Sequence, residues 1–450
     1  MTVIDRNRIP ALLSQEERRF AEANPKSQAL YERARQSLLG GVPMNWMARW
    51  ASPFPLFVKE AKGAWFTDVD GHRYVDLCLG DTGSMFGHSP DATVEAVRRQ
   101  VGRGITLMLP TEDAIWVGEE MARRFGLPWW QIAMTATDAN RFSIRLARQI
   151  TGRPKVLVYN GCYHGSVDEA LVSLVDGRPA PKPGAVGPPV DPALTTKVIE
   201  FNDVAALERA LEPRDVACVL AEPALTNCGI VLPEPGYHAA LRAATRRTGT
   251  VLIIDETHTI CTGPGGYTRE HGLEPDLLTI GKPIAGGIPA AAYGISRELS
   301  QRALELSTTS GADVGGIGGT LSGNALALAA VRATLDKVVT PAAYARTIPL
   351  ARRFTEGVEK VIREYRLPWH VVRLGNRAEY AFRTTPSRNG GEAEAAMDAD
   401  LDRLMHLMAL NRGILLTPFH LMALIAPDTT ETDIDLHTRV FEESARALVG

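Results

Sequence analysis

Four runs of consecutive aliphatic residues constrain this chain more than any other feature: KVLVYN (155–160), VACVLAEP (216–223), VLIIDE (251–256) and LLTIGK (277–282). A strand with one wet face alternates apolar and polar residues, and these runs do not. They are strands buried on both faces, and the helical stretches between them supply the covering layers, so the pattern predicts an α/β domain around a mostly parallel sheet. At 450 residues the chain is too long for one ordinary domain and suits two unequal ones.

The segments outside the aliphatic runs read differently. Residues 1–75 combine helical periodicity, stopping at Gly40 and Gly41, with short strands in PFPLFVKEAKGAWFTDVDGHRYVDL, where Asp70-Gly71 is a hairpin turn. Residues 76–338 form the large domain, ending in an Ala-rich helix near 323–338. Residues 339–450 resume helix, strand and helix, and are expected to join the N-terminal segment as a small α+β domain. The Pro/Gly-rich stretch DGRPAPKPGAVGPPVDP (176–192) reads as an irregular surface loop.

Composition narrows the class of partner. A net charge of −3 without a long basic run argues against nucleic acid and anionic membranes, and no apolar run reaches the roughly 18 residues that span a bilayer. The five cysteines (Cys78, Cys162, Cys218, Cys228 and Cys261) are scattered without C-x-x-C spacing, and the N-terminus lacks the apolar core of a signal peptide. Reduced thiols in the cytoplasm, no metal and a small-molecule ligand are the expectation.

In open α/β sheets the ligand lies beyond the carboxyl ends of the strands. Here those ends read YNGCYHG, EPALTN, IDETHT and GKPIAGG. Lys282 stands between an aliphatic strand and a glycine-rich turn, although the basic residues of the chain are mostly arginine. An ammonium there is costly unless it is paired or loses its proton, and lysine, unlike arginine, can do so and act as a nucleophile. Asp255 follows the aliphatics of VLIID, where a carboxylate can partner a pyridine nitrogen. TATDAN (135–140), opening a helix, offers N–H donors and the hydroxyls of Thr135 and Thr137 to a phosphate.

With these residues in place, the chain resembles the class III aminotransferases that use pyridoxal 5'-phosphate (PLP), and within them the glutamate-1-semialdehyde aminomutase-like branch. The resemblance rests on LLTIGKPIAGGIP, LIIDETHT, YHG (163–165), EPALTNCGIVLPEPGY (222–237) and GTLSGNALALAA (319–330), and runs in order from about Gly40 to the C-terminus. It implies the PLP-dependent transferase fold of type I, with a seven-stranded sheet in the large domain. Lys282 is then the Schiff-base lysine and Asp255 the pyridinium partner. Tyr163 stacks on the ring, Asn227 bonds the ring hydroxyl, and Glu222 orients the site. Ala136 and Thr137 hold the phosphate together with Thr320 of a neighbouring subunit, making a homodimer with shared sites. Trp46 and Arg49 lie where this branch contacts substrate.

The sequence departs from the family pattern at Thr135-Ala136-Thr137-Asp138, where Ser-Gly-Thr is usual, and at Thr257, where an apolar residue is usual. Simpler readings stand beside the functional ones: a surface position for Lys282, helix caps for Asp255, Thr137 and Thr320, ordinary packing for Tyr163, Trp46 and His420, a structural neighbour for His164. In GNRAEYAF, Arg377 and Glu379 share a strand face that is either a solvated edge or a substrate contact. The favoured activity is transamination between an amine donor, including a β-amino acid or hydrophobic amine, and a keto-acid acceptor. The rivals are an intramolecular 2,1-aminomutase and a PLP-fold binding protein without turnover. A dinucleotide-dependent dehydrogenase is disfavoured because no strand is followed by G-x-G-x-x-G.

Overall fold

The computed structural model describes residues 4–310, 315–418 and 420–449. The chain forms two compact units. The larger comprises Asp91–Pro341 and Ser387–Ala395; the smaller comprises Met1–Pro90, Ala342–Pro386 and Ala396–Gly450.

The larger unit is built on seven strands: β1 (Trp129–Ala133), β2 (Lys155–Tyr159), β3 (Thr196–Ile199), β4 (Val216–Ala221), β5 (Val251–Asp255), β6 (Leu277–Ile280) and β7 (Ala291–Ile295). Their order across the sheet is β1-β7-β6-β5-β4-β2-β3. Strands β6, β5, β4, β2 and β3 pair in parallel, whereas β7 runs antiparallel to both β6 and β1. All four aliphatic runs are strands of this sheet. Every residue of β4, β5 and β6 is buried, as a sheet covered on both faces requires.

Helix α1 (Ala136–Thr151) follows β1 and buries Ala139, Phe142, Ile144, Leu146, Ala147 and Ile150, a face at helical spacing. Thr135 caps its start, accepting the Asp138 N–H at 3.2 Å and donating to the Asp138 carboxylate at 2.9 Å. Gly152 in the left-handed conformation ends it.

The stretch 176–192 is not wholly irregular. Arg178–Pro181 pairs antiparallel with Val172–Val175 around Asp176 and Gly177, both with positive φ. Pro179 and Pro181 cannot donate to a ladder, which makes the stretch look structureless in sequence, but a two-stranded ribbon has open edges that tolerate them.

In the smaller unit, helices Ile9–Ala23 and Pro25–Ala34 replace one continuous helical stretch, because Pro25 lacks the N–H needed to continue and suits a first helical position. Both parts of the chain share its sheets: Ile414–Leu415 lies parallel to Arg73–Asp76, and the Asp70-Gly71 turn joins Trp65–Asp68 to that strand. A second sheet places Arg377–Ala381 between His370–Leu374 and Met422–Leu424.

Candidate active site

Asn140 ties the carboxyl ends of β5 and β6 to the first turns of α1 by hydrogen bonds, and Glu222 beyond β4 holds a separate set. Asp255 ends β5 and is buried. Its Oδ2 accepts from Asn140 Nδ2 at 2.9 Å and lies 2.8 Å from His164 Nδ1, and its Oδ1 accepts the Thr257 N–H at 3.0 Å. Burial alone would raise this carboxyl, but His164 above all, with Thr257 and Asn140, brings it down to about 2. Burial likewise opposes charge on His164, and is outweighed by Cys162 and Asp255, so that the imidazole rises to about 10. The pair is therefore a buried imidazolium and carboxylate across neutral pH, which answers the two simple readings: Asp255 caps no helix, and His164 is its charged partner.

Asn140 went unnoticed in the sequence. It sits on the apolar face of α1, and its amide is fixed at both ends: Oδ1 accepts from Thr279 Oγ1 at 2.7 Å, while Nδ2 serves Asp255 and the His164 carbonyl. It is fully buried, and its partners lie far away in the chain, so the sequence around it carried no signal of its role.

Glu222 follows β4. Its carboxylate accepts from Thr226 Oγ1 at 2.5 Å and from Asn227 Nδ2 at 3.1 Å to each oxygen. Burial pushes its pKa up. Asn227 is half-buried, as is Tyr163, whose ring has Lys182 Nζ 6.0 Å from its centroid.

Lys282 follows Gly281 just past β6 and adopts φ +49, a left-handed backbone that non-glycine residues enter at a cost and that concentrates at functional positions. It is half-buried, not a surface lysine, and its Nζ lies 2.6 Å from His258 Nε2. His258, three residues beyond Asp255, was also missed by sequence reasoning. A Cβ on Gly281 would stand 3.0 Å from Ala136 Cβ and 3.2 Å from Ala136 N, so glycine lets the lysine turn approach the start of α1.

At that start Ala136 and Thr137 present first-turn N–H groups that have no acceptor within the helix. Thr137 is inside the helix rather than its cap, and its Oγ1 accepts the Ser166 N–H at 3.1 Å. Gly165 makes this possible: it has φ +81, and a Cβ there would lie 2.1 Å from Thr137 Oγ1. Thr320 is exposed in the turns preceding the helix Ala325–Lys337.

The remaining candidates belong to the smaller unit. Arg49 and Met47 are exposed and Trp46 half-buried on the short helical turn Asn45–Ala48. Arg377 and Glu379 do not form a solvated edge. Their strand is central in its sheet, Arg377 has no exposed surface, and its Nη2 donates to Thr82 Oγ1 at 2.6 Å. Glu379 Oε1 lies 2.8 Å from His420 Nδ1; burial opposes charge on that imidazole, and Glu379 outweighs it. His420 is thus a packed group in contact with Glu379.

An ionised carboxylate, a lysine amine and first-turn helix N–H groups beyond the carboxyl ends of one sheet match the three ends of PLP: ring nitrogen, aldehyde and phosphate. The chain matches the Aminotransferase class-III family model over residues 46–441. It belongs to the class-III aminotransferases. It is 36% identical over 405 residues to a glutamate-1-semialdehyde 2,1-aminomutase of Sorangium cellulosum, covering 88% of this chain and 91% of that one. The crystal structure of a glutamate-1-semialdehyde aminomutase of Pseudomonas aeruginosa, a lysine-to-alanine variant in complex with PMP, superposes with a TM-score of 0.97 at 50% identity over 99% of both chains. An omega-transaminase of Sphaerobacter thermophilus follows at TM-score 0.84 and 30% identity, over 94% of this chain and 98% of that one. Among the described residues no cluster of metal-binding side chains occurs, and no helix is long and apolar enough to cross a membrane.

Proposed function

We propose that this enzyme moves an amino group within a single carbonyl-bearing amino acid, in the manner of a glutamate-1-semialdehyde 2,1-aminomutase. The observation that carries this reading is the similarity to such aminomutases over about nine tenths of both chains. It reverses the preference drawn from sequence, which put transamination first.

The cofactor is PLP. When bound, it supplies a carbonyl that takes up nitrogen and a ring that draws electrons from the adjacent carbon. Lys282 would carry the cofactor through Nζ and, as a free amine, would hold and return the proton that leaves the substrate carbon. Positioned proton transfer of this kind contributes about 10² to 10⁴ in rate. Asp255, held ionised by His164 and Asn140, would keep a proton on the ring nitrogen. Ala136 and Thr137 would hold the phosphate together with Thr320 of the partner subunit. Tyr163 would stack on the ring, and Asn227, oriented by Glu222, would bond its hydroxyl. Arg49, exposed beside Trp46, is the better candidate to clamp a substrate carboxylate, since Arg377 is committed to Thr82.

A second reading, transamination of an amino acid or hydrophobic amine with a keto acid, is favoured by the likeness to an omega-transaminase and by a cavity of about 570 Å³ in the smaller unit, lined by Val42, Pro43, Met47, Trp50 and Phe57. Product analysis separates the two. Glutamate-1-semialdehyde supplied alone should become an isomer of the same composition, with turnover beyond one equivalent. A strict requirement for added keto acid, appearing as its amino acid, would establish transamination instead.

A further inference from the structure

His258 has no place in the roles assigned so far, yet its Nε2 is 2.6 Å from Lys282 Nζ. Two basic nitrogens at that distance hold one proton between them. Either the ammonium donates to a neutral imidazole, or the imidazole N–H donates to a neutral amine. Two cations are disfavoured, because like charges this close repel strongly in a partly buried site.

The surroundings give this contact a fixed frame. His258 is buried in the turn leaving β5, and Lys282 leaves the neighbouring strand β6 in a left-handed conformation. The carboxylates of the adjoining segments have partners of their own. Asp255 bonds His164, Asn140 and Thr257, and Glu222, beyond β4, bonds Thr226 and Asn227. Glu256 accepts from Thr259 Oγ1 at 2.5 Å and from the N–H groups of Tyr267 and Thr268.

We propose that His258 is a positioning residue for Lys282, holding Nζ through one shared proton and receiving that proton when the amine must be neutral. In that step the N–H bond on Nζ breaks and one forms on Nε2. The positive charge passes from ammonium to imidazolium, and nothing else is consumed. The idea deepens the function proposed above and rests on Lys282 being the reactive amine. It adds a second proton-holding group beside the lysine that would move a proton between substrate carbon and cofactor carbon.

The test is the titration of His258 in the full-length protein freed of cofactor, followed by NMR of ¹³C-labelled histidine, with the signal assigned by its loss in His258→Gln. A neighbouring ammonium resists a second positive charge, so removing it should ease protonation of the imidazole. In Lys282→Met, and independently in Lys282→Gln should the first variant fold poorly, His258 should titrate at least half a pH unit higher than in the wild type. A smaller rise or no change overturns the shared proton, because a histidine held only by packing would not feel the lysine's charge so strongly; a fall overturns the placement of that proton on Nζ, because an imidazole already holding it would lose its amine acceptor. Substrate is absent, so the outcome does not depend on whether the enzyme is a mutase or a transaminase. The identity of the reactive lysine is checked separately, by finding which peptide carries the cofactor after borohydride reduction.

Discussion

Asp255 and His164 show how two ionisable residues stay charged where either alone would not. Desolvation works against both; His164 brings the Asp255 carboxyl down, and Cys162 together with Asp255 raises the His164 imidazole. The Asp255 carboxylate, depressed from 3.8 to about 2, adds stability above about pH 3.8 that is lost as pH falls through 2. The His164 imidazole, raised from 6.5 to about 10, adds stability that is complete below pH 6.5 and is lost as pH rises through 10. Urea denaturation of His164→Gln should therefore show its largest deficit against wild type near pH 5 to 6, narrowing toward pH 10. A deficit that widens with pH would falsify the charged pair. For catalysis, Asp255→Asn should keep the fold and bind PLP while kcat at saturating cofactor falls by on the order of 10²-fold or more, as when other preorganised charges are removed. Wild-type turnover in that variant would take Asp255 out of the site.

Among elements, the contact between the β6 end and the start of α1 is the one most sensitive to a single methyl. Gly281→Ala places its Cβ 3.0 Å from that of Ala136, so the lysine turn and the first-turn N–H groups of α1 must move apart by a few tenths of an ångström. PLP retention on dialysis should fall several-fold with little change in secondary structure; unchanged retention would show that this approach is not needed to hold the cofactor. A different element depends on Arg377. Leu79, Gly80, Asp81 and Thr82 are all left-handed, with φ from 47 to 80, and the buried guanidinium holds Thr82 in place. Arg377→Met should cost about 1.5–3 kcal/mol of stability, the range for a buried charged hydrogen bond. Exposed Arg49→Met should stay within about 0.5 kcal/mol while raising KM for carboxylate-bearing substrates. Equal stability losses would remove the distinction.

These elements also show what sequence can and cannot disclose. The buried sheet and the places of Lys282 and Asp255 at strand ends were legible because aliphatic runs are unambiguous and ionisable groups at their ends are conspicuous. Arg377 was not, since a charged residue on a short alternating strand looks the same whether it meets water or Thr82. Asn140 and His258 were hidden for the same reason: their importance lies in a partner more than twenty residues away, which local pattern does not encode. The Val172–Val175 ribbon was masked by prolines whose missing N–H groups matter only where a neighbour needs them.

At the scale of the whole molecule, the remaining question is whether one chain suffices for a site. Thr320 is exposed in the larger unit, and the family pattern assigns its hydroxyl to the phosphate held by another subunit. If a second subunit completes the cradle, PLP binds the dimer more tightly than the monomer, and mass action then makes the cofactor a stabiliser of the dimer. A ligand at 100 times its Kd stabilises its preferred state by about 2.7 kcal/mol, roughly a hundredfold in the dissociation constant. Sedimentation velocity on diluted enzyme should therefore show subunits and PLP absorbance separating together, with added PLP moving dissociation to lower protein concentration. Thr320→Ala should then weaken both events in parallel, as loss of a hydroxyl shared by cradle and interface would. Weakened PLP binding with unaltered dissociation would place Thr320 in its own subunit's site, and a fully active monomer would exclude the shared cradle altogether.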